Sequence, residues 1–276
     1  MTRFALTAVL VASLSPLPSG DVAADTAAAP GAGPPTPVLV ELFTSEGCSS
    51  CPPADALLSR LVATQPIANV EVVALGEHVD YWDRLGWPDR FSSAAYTRRQ
   101  SDYQRSVFGM GTIYTPQVVI DGTDEALGSD AAALRRAVQR AAQQDKVAVR
   151  VTLERAAAGA VGVTVAVDAV TQPRAAADIV IAAVEDGLTT RVERGENRGR
   201  TLRHSAVVRY LEVAGPLGPL GSRADAGELA TTVPLADEWN PANLRVVAFV
   251  QERRSHRVLG IGTATVADAP AATRVR

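Results

Sequence analysis

The stretch from Pro37 to Phe43, PVLVELF, is apolar and β-branched almost without a break. A strand with one face in water alternates apolar and polar residues; a continuous run belongs to a strand buried on both faces, the habit of parallel sheets covered by helices. The chain is therefore expected to build a covered sheet around this segment. SCPPADALLSRLVAT follows, with Leu57, Leu58, Leu61 and Val62 at helical spacing, and NVEVVALGEHVDYW reads as a second buried strand. SSAAYTRRQSDYQRSVF reads as a helix with Ser92 or Ser93 as its N-cap. In TPQVVIDGTDEALG the Asp121-Gly122 pair between apolar runs signals a tight hairpin. Ser129 is then expected to cap DAAALRRAVQRAAQQ, an amphipathic helix with Leu134 and Val138 facing inward. The order is β-α-β-α-β-β-α, closing on an antiparallel pair.

After Lys146 the pattern changes. KVAVRVTLE, AVGVTVAVDAV, ADIVIAAVED, SAVVRYLEVAG, GELATTVPL, NLRVVAFVQE and RVLGIGTATV are short, β-branched and often alternating, with turn-rich segments between them. Strands of this kind at this spacing predict an antiparallel β-sandwich. The expected organisation is an α/β domain over 38–145, a β-sandwich over 146–268 and a tail over 269–276. QQDKVAVRV passes from helix to strand with no Gly- or Pro-rich spacer, so the halves are expected to pack in a fixed arrangement.

The chain begins MTRFALTAVLVASLSPLPSGDVAADTAAAP. Arg3, the apolar run Phe4–Leu14 and the small residues Val22 and Ala24 read as a secretory signal peptide over 1–24. The run is too short for a spanning helix, and no other segment is apolar enough for one. A Pro/Gly/Ala linker over 25–37 follows. These features imply export, to the periplasm or beyond. The net charge of −3 gives no general attraction to nucleic acid or anionic lipid.

In an oxidising compartment cysteines are usually paired, and Cys48 and Cys51 are the only 2 in the chain. A structural disulfide stabilises by closing a long loop; a bond across C-S-S-C closes almost none. That spacing points to chemistry. With Cys48 at the start of the helix that carries Leu57, unpaired N–H groups and the helix dipole favour a thiolate. A thiolate is the nucleophile of thiol–disulfide exchange, and Cys51, a turn along, is placed to resolve a mixed disulfide. Pro52 and Pro53 are compatible with a first helical turn. Glu46 and Asp55 oppose the thiolate by like charge.

Four stretches, VELFTSEGCSSCPPAD, HVDYWDRLGW, YTPQVVIDG and GENRGRTLRHSAVVR, together resemble the thioredoxin-like superfamily and, more closely, the secreted bacterial family known as domain of unknown function family 1223. The resemblance implies a thioredoxin-like α/β domain with a central mixed sheet and the C-x-x-C pair at a helix N-terminus. It also implies nucleophilic and resolving roles for Cys48 and Cys51. Pro116 takes the place of the superfamily's cis-proline, which turns the Thr115 backbone toward Cys48 to pair with an extended substrate. The tryptophan that commonly precedes the pair in thioredoxin is replaced here by Glu46-Gly47.

His78, Asp80, Tyr81 and Trp82 end the second strand, where ligand crevices of open α/β sheets lie, and together with Glu46 they are candidates for the rim of the site. The competing reading has the aromatics packing the loop and Asp80 capping backbone groups. Two thiolates and His78 form a possible Cu(I) set, with Met110 as a further soft ligand; no full zinc set is present. RVERGENRGRTLRHSAVVR carries six arginines against two glutamates, which fits either an anionic partner or a solvated loop. His204 and His256 receive no role. The sequence thus reads as an exported thiol–disulfide oxidoreductase that needs no cofactor beyond its own disulfide. It would act on protein or peptide thiols with a redox partner, and its β half would serve docking or substrate selection. A Cu(I) metallochaperone and a non-catalytic binding protein are the alternatives.

Overall fold

The computed structural model describes residues 33–109, 111–156, 159–168, 176–217 and 227–270. The expected signal peptide, most of the linker, Met110 and residues 271–276 lie outside the described residues.

The first half follows the expected order: β1 (Thr36–Thr44), α1 (Pro52–Thr64), β2 (Val70–His78), a 3-10 turn over Asp80–Leu85, α2 (Ala94–Ser106), β3 (Gln117–Ile120), β4 (Asp124–Leu127) and α3 (Ala131–Ala141). β1 runs parallel to β2 and antiparallel to β3, and β3 pairs with β4. Asp121 and Gly122 both adopt positive φ, 46° and 74°, in the β3–β4 turn that the sequence signalled. Ser93 caps α2, its Oγ accepting from the Ala95 N–H. For α3 the cap is Asp130 rather than Ser129, its carboxylate accepting from the N–H groups of Ala132 and Ala133 at 3.0 and 2.9 Å.

The second half corrects the expected fold class. Its strands are β5 (Val149–Arg155), β6 (Ala160–Val167), β7 (Ala177–Glu185), β8 (Leu188–Arg191), β9 (Thr201–His204), β10 (Val207–Leu217), β11 (Gly227–Pro234), β12 (Leu244–Glu252) and β13 (Val258–Thr265). They do not make a separate sandwich behind a thioredoxin-like domain. β7, β10, β12 and β13 extend the first half's sheet into one mixed sheet of eight strands, ordered β13-β12-β7-β10-β2-β1-β3-β4. The molecule is mostly β.

The join between the halves is the edge of β2. Val207 pairs in parallel with Gly76, whose N–H donates to Ala206 O at 2.7 Å. A Cβ at Gly76 would press on the Ser205 and Ala206 carbonyls at 3.3 Å, so the bare backbone allows the approach. Burial explains the placement. Every residue of β7 except Asp178, and of β12 except Arg245, is buried, as in a strand covered on both faces. β6 alternates buried and half-buried residues and joins β5 and β11 in a three-stranded layer on one face. The core accordingly crosses the halves: Val40, Leu42 and Leu58 share a cluster with Val180, Val247 and Phe249. Pro34–Arg276 is one compact unit, with the position 146 junction inside it.

Two half-buried cations hold these parts in register. Lys146, the chain's one lysine, places Nζ 2.5 Å from Asp121 Oδ2 and 3.0 Å from Val258 O. It thereby ties the β3–β4 turn to the start of β13. On α2, Arg99 Nε lies 2.6 Å from Glu41 Oε1 on β1 and 3.6 Å from Glu77 Oε1 on β2, and its NH1 donates to Gln251 of β12 at 3.2 Å. Burial, together with the Glu41 charge, pushes the Glu77 carboxyl well above the usual carboxylate range, against the pull of Arg99.

Candidate functional site

Cys48 and Cys51 form a disulfide, with Cα atoms 5.4 Å apart, in the loop between β1 and α1. Both residues are fully buried, whereas Ser49 and Ser50 between them are exposed. The Ser50 Oγ lies 3.3 Å from Cys48 Sγ, placed to donate to the sulfur. The helix begins later than expected. Cys51 is its N-cap and Pro52 its first residue, so Cys48 lies in the preceding turn. Pro52 and Pro53 carry no N–H, and those of Ala54 and Asp55 go to Cys51 O at 2.8 and 3.1 Å. The free helix-end donors expected to stabilise a thiolate are therefore already used.

Thr115-Pro116 is cis. A Cβ built at Gly128 would meet Leu42, Pro116 and Ala54, the last in the first turn of α1, each at 3.0 Å, so the proline sits beside the helix that Cys51 caps. Trp82 bridges the same region: its Cβ lies 3.2 Å from where a Gly47 Cβ would stand, and its Nε1 donates to Thr115 Oγ1 at 2.8 Å. Trp87 Nε1 donates to Glu46 Oε2 at 2.8 Å. The two indoles thus fix the turn that precedes Cys48 (Glu46-Gly47) and the residue before the cis bond.

Of the rim candidates, Glu46 and His78 are buried close to the pair. The Glu46 N–H donates to Asp89 Oδ2 at 2.8 Å, and that same oxygen lies 2.6 Å from His78 Nδ1. Burial lowers the His78 pKa, but Asp89, with Asp55 and Glu46 behind it, outweighs burial and raises it. Asp89 is lowered despite its burial by His78 and by the N–H groups of Glu46 and Phe91. Asp80 faces elsewhere, accepting from Thr97 Oγ1 at 2.6 Å, and the Tyr81 hydroxyl donates to Gln100 Oε1 at 3.3 Å. Among the described residues no group of three or more His, Cys, Asp or Glu side chains is placed to hold a metal ion.

The residues missed at the sequence level come from the second half. β8 and β9 pair in a hairpin whose connection lies over the disulfide. Asn197, fully buried, donates Nδ2–H to both Glu46 O and Cys48 O at 2.9 Å, and Glu196 Oε2 accepts from the Ser49 N–H at 3.1 Å. Arg191, Arg194, Arg198, Arg200 and Arg203 around them are exposed. His204, given no role from sequence, is buried at the end of β9. Its Nε2 lies 3.3 Å from Glu46 Oε1 and its Nδ1 4.0 Å from Asp55 Oδ2, and its ring centroid is 4.9 Å from that of His78. The alternation in TLRH, which places Leu202 and His204 on one face, was the available signal.

Fold and site together define a mostly β protein built on one mixed sheet, with a close-spaced disulfide buried beneath a hairpin strap. The chain belongs to the family described as protein of unknown function (DUF1223), whose profile matches residues 39–251. No curated protein matches it. Among solved structures it is similar in fold to HBP35 of Porphyromonas gingivalis, with a TM-score of 0.62 and 14% identity over 89% of this chain and 80% of that one.

Proposed function

We propose that this protein exchanges disulfides with protein or peptide thiols through Cys48 and Cys51, as an exported redox protein, and that its second half governs access to the pair. The observation that carries this reading is the Cys48–Cys51 bond itself, three residues long and capping α1. Such a bond removes almost no loop entropy, so stabilisation of the fold does not account for it. The Ser50 hydroxyl at Cys48 Sγ supports the same reading. Cys48, followed by the exposed Ser49 and Ser50, takes the nucleophile's part, and Cys51 resolves. Since both cysteines are buried, exchange requires the strap to move, and Asn197 is what holds it. This gives the β half a direct part in deciding which thiols reach the pair.

Single-cysteine variants of the full chain test the proposal. Cys51→Ser should accumulate mixed disulfides with thiol partners, because the resolving sulfur is gone. Cys48→Ser should not. Equal behaviour of the two variants would rule the proposal out.

A further inference from the structure

Opening the disulfide creates a charge problem. The helix-end N–H groups that ordinarily stabilise a thiolate are consumed or missing, as Ala54 and Asp55 donate to Cys51 O and the prolines have none. Buried carboxyls flank the pair instead: Glu46 two residues before Cys48, and Asp55 about one helical turn beyond Cys51. The His204 imidazole lies between them, and Glu46 Oε1, Asp55 Oδ2 and both ring nitrogens all lack a hydrogen-bond partner. Buried polar atoms are nearly always partnered. Four that face one another without bonding mark a place where a proton can be taken up.

We infer that His204 takes up a proton when the Cys48–Cys51 pair is reduced, and that the resulting cation offsets the charge of the Cys48 thiolate. The inference rests on the exchange reading above. In the exchange, one thiolate of a substrate dithiol attacks Cys48 Sγ. The Cys48–Cys51 bond breaks, and its electron pair leaves on Cys51, which is protonated. The second substrate thiol loses its proton and attacks the substrate sulfur of the mixed disulfide. The substrate departs as a disulfide, two electrons poorer, and Cys48 is released as a thiolate. Of the two protons given up by the substrate, one ends on Cys51 and the other on His204.

The groups facing His204 are Glu46 from the β1–α1 turn, Asp55 from α1 and His78 from β2, with Asp89 behind His78; the Phe91 ring, 5.8 Å away, is uncharged. His78 is already committed to Asp89. Burial pushes the Asp55 carboxyl up while His204 draws it down. Acting on Cys48 through charge, His204 is a positioning residue.

The test uses the full-length protein reduced with dithiothreitol. Thiolate ultraviolet absorbance is followed from acid to alkaline pH in wild type and His204→Gln, with Cys48→Ser as the blank. The variant should lose its thiolate at a pH about one unit or more above wild type, the effect of removing a nearby opposite charge. A second measurement needs no variant: at one near-neutral pH, the ring carbon shifts of His204 should change from neutral to protonated on reduction. Superposing titrations, or a His204 ring unchanged between the two redox states, would overturn the inference. A disulfide that resists dithiothreitol fails one step earlier and removes the exchange reading as well.

Discussion

Asn197 and Cys48 stand 149 residues apart in the chain, yet the Asn197 amide donates to the Cys48 carbonyl at 2.9 Å. The second hydrogen of that nitrogen serves Glu46 O, so one side chain clamps both sides of Gly47. Asn197→Ala would leave the buried Glu46 carbonyl unpartnered and Cys48 O with the Cys51 N–H alone, at a cost of about 1–3 kcal/mol. Since about 1.4 kcal/mol is tenfold in an equilibrium, native-state reduction of the disulfide by dithiothreitol should accelerate by roughly tenfold or more. An unchanged rate would show that Asn197 does not gate access.

The His78–Asp89 pair gives stability a pH dependence with a definite sign. His78 is raised above 6.5 in the fold, so its contribution is fully present below that pH and is lost as pH rises through the folded value. Asp89 is lowered below 3.8, so its contribution is present above that pH and lost as pH falls through the folded value. The pair therefore contributes most between pH 3.8 and 6.5. Urea midpoints of wild type should fall from mildly acidic to mildly alkaline pH. His78→Gln should flatten that slope, and parallel slopes would contradict the assignment.

Arg99 pairs with Glu41 at 2.6 Å, with Glu77 beside them at 3.6 Å, its carboxyl raised by burial and by the Glu41 charge; both acids have fully buried side chains. Arg99→Leu removes the cation and leaves the buried Glu41 charge uncompensated. The expected loss is about 3–5 kcal/mol, read from chemical unfolding. A loss below about 1 kcal/mol would mean that the Arg99–Glu41 ion pair is not what holds α2 on the sheet.

How much of this was legible in sequence depended on range. β1, α1, β2, α2 and the Asp121-Gly122 turn rest on local patterns and were read directly, whereas the cis bond at Pro116 was expected from the family resemblance. Continuous apolar runs in ADIVIAAVE and LRVVAFVQE were the same signal as PVLVELF, but regular strand spacing favoured a sandwich. Nothing local to β2 announces that its free edge is paired by Val207. Likewise Asn197 and His204 become part of the site only through the path of the β8–β9 hairpin, and isolated polar residues carry no mark of such a contact.

The shared sheet makes the first half dependent on the second. A fragment of residues 38–145 would expose the β2 edge and lose Val180, Val247 and Phe249 from its core. It should be insoluble or unfold without cooperativity, as judged by soluble yield and circular dichroism. A soluble fragment with full-length stability would contradict the dependence.

The exchange reading is tested most directly by the reduction potential of the Cys48–Cys51 pair in full-length protein, equilibrated in glutathione buffers and read by thiol alkylation. A pair that exchanges should titrate reversibly, with a midpoint between about −270 and −120 mV, the range of thiol–disulfide exchange proteins. A pair that stays oxidised throughout, with a potential below about −300 mV, would be a structural disulfide and would contradict the proposed function.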